Sequence, residues 1–271
     1  MNVEFKEDKI RNVMRKLSED RPIFHSEDDF KFSLAWKIKN EYKENLEIRL
    51  EKNMDNVNRY LKDKKEECNV SKQNNKQNNK NEKIDIFIIA NGINGLEKIG
   101  IELKYITKKL EVKNIKNNEK FILKTQGAEN NRSYDSWKDV ERLENFILNR
   151  EIDRGFTLWL TNDYLLYADC KKDMNKEYQF DNFRICNGRE LNEHCLKWIN
   201  TRGQERKDRS DPIYILENYK ITWENYSNIK LEIIKNNYRD LIKETDKVKP
   251  KHLDYQFKFS ILEIQPNRTL I

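Results

Sequence analysis

Apolar and polar positions along the chain follow two periods. In MNVEFKEDKIRNVMRKL, Val3, Ile10, Val13, Met14 and Leu17 recur at helical spacing. The segment DRPIFHS interrupts that pattern, because Pro22 breaks a helix and Ser26 is suited to cap the next one. Phe30, Leu34, Ile38 and Tyr42 then form one apolar stripe, which predicts a helix over 27–43. Glu27, Asp28 and Asp29 fill its first turn, where the helix dipole favours negative charge. In LEIRLE (46–51), Leu46, Ile48 and Leu50 alternate with Glu47, Arg49 and Glu51, the mark of a short strand. KIDIFIIANGING and LEKIGIELKYI read as two more strands. Asn91-Gly92 and Asn94-Gly95 mark the reversal between them, so the pair is predicted to be an antiparallel hairpin.

Trp137, Val140, Leu143 or Glu144, and Ile147 predict a helix at about 134–149. GFTLWLTND and YLLYADC read as two strands joined at Asn162-Asp163. Further on, ELNEHCLKWI and LEIIKNNYRDLI read as helices and KFSILEI as a terminal strand. Helix, strand, hairpin, helix, strand, strand is the order of an α/β fold, a mixed β-sheet flanked by helices. Residues 1–170 form the expected core, with a low-complexity polar loop over 68–83. Residues 171–271 are expected to add C-terminal α+β elements packed on that core, or continuous with it in one domain.

Composition narrows the classes. Charged and hydrophobic residues each make up 37% of the 271 positions, and 12 Phe, 12 Tyr and 5 Trp suffice to build a core. The net charge of +6 is compatible with a polyanionic partner without requiring one. No stretch approaches 18 apolar residues and the N-terminus has no apolar leader, so no membrane association is expected. Cys68, Cys170, Cys186 and Cys195 form no CxxC pair and are expected to be reduced thiols in a cytoplasmic protein. His25, His194 and His252 lie far apart, which argues against a zinc centre built on histidines. Neither GxxxxGK[ST] nor GxGxxG occurs, so a phosphate cradle for a nucleotide has no support.

The second strand of the hairpin, within KIGIELKY, places two charges on one side. Ile99, Ile101, Leu103 and Tyr105 share one face; Gly100, Glu102, Lys104 and Ile106 share the other. In the preceding strand Ile84, Ile86 and Ile88 share a face, opposite to that of Asp85, Phe87 and Ile89. In the hairpin register that aligns them, Asp85 lies across from Glu102 and Lys104. The bland alternative is a salt bridge on a solvated strand. On an apolar sheet, however, uncompensated charges are costly, and a divalent cation between the carboxylates removes much of that cost. Hard oxygen ligands, Asp85 and Glu102 with the Leu103 carbonyl, suit Mg²⁺ or Mn²⁺. Lys104 is then placed to orient or deprotonate a water and to stabilise a pentavalent phosphorane.

Asp85 followed by Glu102-Leu103-Lys104, behind an acidic helix, resembles the PD-(D/E)xK nuclease superfamily over about residues 20–170. RPIFHSEDDFKFSLAWKI and LKTQGAENNRSYDSWKDVERLE resemble segments of an uncharacterised bacterial branch of it. The family's Pro before the Asp is absent; Ile84 stands there. The resemblance implies a restriction-endonuclease-like core and hydrolysis of phosphodiesters, in DNA ahead of RNA, in bacterial defence or DNA repair. It also implies that Glu27, with Asp28 as the fallback, joins the metal site, and that Gln126 supports the site or contacts DNA. Arg132 and Asp135 are expected to contact phosphate or fix a loop, and Glu51 to back the site as a further acid. Seven Lys and two Glu between Leu103 and Lys124 offer a track for a phosphate backbone. A homodimer is expected where both strands of a duplex are cut. The rival readings are a nuclease-like module retained for binding nucleic acid or protein, and an RNA nuclease.

Overall fold

The structure is a computed structural model, which describes residues 5–42, 46–54, 82–92, 95–113, 119–170, 180–199, 209–229 and 255–265. Helix α1 (Glu7–Asp20) buries Ile10, Val13, Met14 and Leu17, the face the periodicity picks out. Helix α2 (Glu27–Tyr42) starts where Ser26 predicts, with the Ser26 Oγ accepting from the Asp29 N–H at 3.1 Å. Strands β1 (Leu46–Met54), β2 (Glu82–Gly92) and β3 (Gly95–Ile106) follow, then a small hairpin of β4 (Leu110–Lys113) and β5 (Lys120–Leu123). Helix α3 (Glu129–Leu148) leads into β6 (Arg154–Thr161), and the one-turn helix α4 (Tyr164–Tyr167) closes this half of the chain. Four two-residue strands come next, β7 (Glu190–Leu191), β8 (Cys195–Leu196), β9 (Ile213–Tyr214) and β10 (Tyr219–Lys220). Strands β11 (Glu224–Asn228) and β12 (Gln256–Ile264) complete the set.

The main sheet is mixed, with six strands in the order β1-β2-β3-β6-β12-β11. Every neighbouring pair is antiparallel except β3 and β6, which the α3 crossover makes parallel. One face packs Ile86, Ile101, Leu103, Leu158 and Phe257 against α1 and α2. The other packs Phe87, Trp159 and Leu262 against Trp137, Val140 and Leu143 of α3. The class is therefore the expected α/β arrangement, a sheet between helical layers. The strand KFSILEI falls within β12, so the end of the chain contributes to the same sheet as β3.

Several expectations are corrected. YLLYADC does not form a strand: the Asp163 carboxylate accepts from the Leu165 N–H at 3.2 Å and starts α4 instead. ELNEHCLKWI is not a helix; its backbone is divided between β7 and β8, which pair with β10 and β9. LEIIKNNYRDLI and most of the 68–83 loop lie outside the described residues. Cys170 and Cys186 are joined in a disulfide, 5.3 Å between Cα atoms, so these two are not the reduced thiols expected. No helix among the described residues is long and apolar enough to cross a membrane.

On the outer layer, carboxylates of α3 hold down an irregular segment. Glu141 accepts from the Tyr214 N–H at 2.9 Å; Glu144 accepts from the Leu216 N–H at 2.9 Å and the Tyr219 hydroxyl at 2.8 Å. Burial outweighs these donors and pushes the Glu144 carboxyl up to about 8. Because the folded value lies above the ordinary 4.5, the folded state binds more protons between those limits. Stability from this group is therefore full below about pH 4.5 and is lost as pH rises through about 8. Thermal unfolding between pH 5 and 9 is expected to show that decline, and Glu144→Gln to flatten it.

Candidate active site at the open edge of the third strand

Pairing between β2 and β3 runs from the turn to Ile86↔Ile101 and stops there, while β3 continues beside β6 to Ile106↔Thr161. The two strands fork at Asp85. The cause lies in the neighbouring strand. Glu51 has φ +51°, a left-handed conformation that a non-glycine residue adopts at a cost, and the β1–β2 register passes over the Glu51–Asp85 pair. On either side of this kink the faces exchange. Leu50 packs toward α2, while Lys52 lies over the Phe87 ring on the α3 side, 4.6 Å from its centroid. Ile84 likewise lies on the α3 side, whereas Ile86 and Ile88 lie on the α2 side, contrary to the strict alternation expected of β2. Gly100 makes room for this, since a Cβ there would come within 2.3 Å of the Ile84 Cδ1.

Beyond the fork, no strand among the described residues pairs with β3 on its β2 side, and side chains take the donors instead. The Leu103 N–H donates to Asp85 Oδ2 at 2.8 Å, and the Tyr105 N–H donates to Glu27 Oε2 at 2.7 Å. At the next such position, Thr107, the N–H donates to Gln126 Oε1 at 3.4 Å and the carbonyl accepts from the Gln126 N–H at 3.1 Å. The predicted residues Asp85, Glu27 and Gln126 thus stand in file along one edge. Each replaces a rung of the missing ladder. The Leu103 carbonyl lies 3.4 Å from Lys104 Nζ.

Glu102 and Lys104 project from β3 toward α3. Glu102 is 2% exposed and is gripped by Arg142, Nε to Oε1 at 3.0 Å and Nη2 to Oε2 at 2.6 Å. Asp139 bridges the pair, 2.8 Å from Arg142 Nη2 and 2.6 Å from Lys104 Nζ. From the α2 side, the buried Lys31 reaches Asp28 at 2.8 Å, Asp85 at 3.5 Å, and Glu51. Lys31, Asp139 and Arg142 escaped the sequence reading. In so charged a chain nothing sets them apart, though Asp139 and Arg142 share a helix face at i, i+3 beside the apolar positions Val140 and Leu143.

The charges act on one another. Burial raises the Glu102 carboxyl well above the usual range; Arg142 opposes this, and Asp139 and Asp85 add to it. Burial also raises Glu27, opposed by Lys104 and the Tyr105 N–H and reinforced by Asp85 and Asp139. For Lys104, burial works against the charge, but Asp139, Glu27 and Glu102 outweigh it and hold the ammonium above its ordinary value. Lys104 thus keeps its proton, which suits it to present positive charge and not to remove a proton from water.

Carboxylates outnumber cations here: Glu27, Glu51, Asp85, Glu102 and Asp139 against Lys31, Lys104 and Arg142. That excess sets hard oxygen donors, the kind a small divalent cation takes, near one another. Among the described residues no group of three or more His, Cys, Asp or Glu side chains is arranged to hold a metal ion. The expected set contains two carboxylates, Asp85 and Glu102, and faces Lys31 and Arg142 instead.

The remaining candidates serve other contacts. Asp135 holds Arg209 in a two-pronged pair at 2.7 and 2.8 Å. Arg132 pairs with Asp163 at 3.1 Å, beside the start of α4. Glu51 does not close β1, which runs on to Met54; it joins the site through Lys31. Compared with known proteins, the chain matches no family model, no curated protein and no solved structure.

Proposed function

We propose that the chain is a metal-dependent nuclease with a restriction-endonuclease-like core that hydrolyses phosphodiester bonds, DNA being the substrate. The observation that carries this reading is the seat of Asp85 on the Leu103 N–H. It brings an acid of β2 to the stretch of β3 that presents Glu102 and Lys104. Mg²⁺ or Mn²⁺, held by Asp85, Glu102 and the Leu103 carbonyl with Glu27 adjoining, would supply Lewis acidity toward the phosphodiester and acidify a water. Lys104, kept protonated by Asp139, offers charge to the scissile phosphate. Arg142 holds the Glu102 carboxylate in place. Gln126, exposed one rung farther along the edge, would meet a neighbouring nucleotide.

The cations already seated on the acids favour a second reading, a binding module without catalysis. Incubation with plasmid, linear duplex, single-stranded DNA and RNA, each with Mg²⁺, Mn²⁺ or EDTA, separates the two. Cleavage that EDTA stops, and that Lys104→Ala and Asp85→Ala lack, supports the nuclease. Undiminished cleavage by Lys104→Ala overturns it. Tight binding without cleavage in any metal favours the module.

A further inference from the structure

Helix α2 turns two large apolar side chains outward. Phe32 is 57% and Trp36 71% exposed, one helical turn apart. Beside them lies a groove of about 780 Å³ whose floor includes Leu46, Ile48 and Leu50, alternate residues of β1. Among the described residues β1 is an edge of the main sheet. An open strand beside an exposed aromatic pair is a surface built for contact.

We infer that this edge pairs with the β1 of a second copy of the chain, antiparallel about a two-fold axis at Ile48. The charge pattern selects both occupant and register. With Ile48 facing its own copy, Glu47 faces Arg49 of the second copy, twice over, and Leu46 faces Leu50, also twice. Sliding the axis to Arg49 would set Arg49 against Arg49 and Glu47 against Glu51, which repel. Within one chain Arg49 already donates to Glu47 at 2.7 Å, so the pair can exchange partners across the axis without loss of charge compensation. The kink at Glu51 ends the flat part of the strand and confines pairing to 46–50. Leu46, Ile48 and Leu50 face the α2 side, so Phe32 and Trp36 extend the apolar surface on the same side of the junction. An isologous contact of this kind closes on itself and covers the β1 edge of both copies, so that it does not propagate.

The inference does not depend on the nuclease reading, and its test reads mass, not cleavage. Sedimentation velocity of the full chain over a range of concentrations is expected to show a monomer–dimer equilibrium. Phe32→Ala with Trp36→Ala removes exposed side chains and leaves the core alone; it should weaken association by roughly 30-fold or more. Glu47→Arg should weaken it as well, and adding Arg49→Glu to that variant should restore it. A monomer at every concentration overturns the proposal, as does a dimer indifferent to the aromatic and charge substitutions.

Discussion

Under the proposed nuclease function, Asp85→Asn is expected to lower metal-dependent DNA cleavage by roughly a hundredfold or more while the protein stays folded. The amide oxygen of Asn can still accept from the Leu103 N–H, so the fork between β2 and β3 keeps its rung. What is lost is one negative charge beside Glu102. Asp85→Ala removes the charge and the rung together, and should also lose about 1–3 kcal/mol of stability through the orphaned N–H. Cleavage rates and denaturant unfolding, measured on both variants, separate the two effects. Equal cleavage by wild type and Asp85→Asn would show that the chemistry lies elsewhere.

Arg142→Met should produce the largest loss of stability. The guanidinium spans Glu102, which is buried, and Asp139, and among the described residues no other cation pairs with Glu102. Removing one partner of a buried ion pair leaves a desolvated charge behind, at a cost of about 3–5 kcal/mol. Glu102 would then take up a proton more readily, since Arg142 is the main influence opposing burial there. The loss should therefore be smaller in acid, where Glu102 is neutral, and larger as pH rises. Urea unfolding of Arg142→Met and wild type at several pH values checks both sign and size. The double variant Arg142→Met with Glu102→Gln should recover part of the loss.

Much of this architecture was legible in the chain because its signals are local. Pro22 and Ser26 set the break and the cap between α1 and α2, and the paired Asn-Gly turns set the hairpin. The period of two placed Glu102 and Lys104 on one shared face, and the structure turns both toward α3. It failed at Ile84, because one left-handed residue in the adjacent strand, Glu51, exchanges the faces on either side of it. A glutamate gives no sign of that conformation, as a glycine would. YLLY was misread because a short apolar run fits strand and helix alike, and Asp163 decided for the helix. Lys31, Asp139 and Arg142 are charges made significant only by packing between elements distant in sequence.

The file of side chains along the outer edge of β3 has a consequence for solubility. Bare strand margins invite foreign segments to zip on, and here the donors at positions 103, 105 and 107 are already taken by Asp85, Glu27 and Gln126. The acids on this edge thereby act as stoppers against cross-β growth. Stripping both Asp85 and Glu27 to alanine should therefore do more than silence a reaction: it should expose adjacent hungry amides and turn a quiet margin into a seed for aggregates.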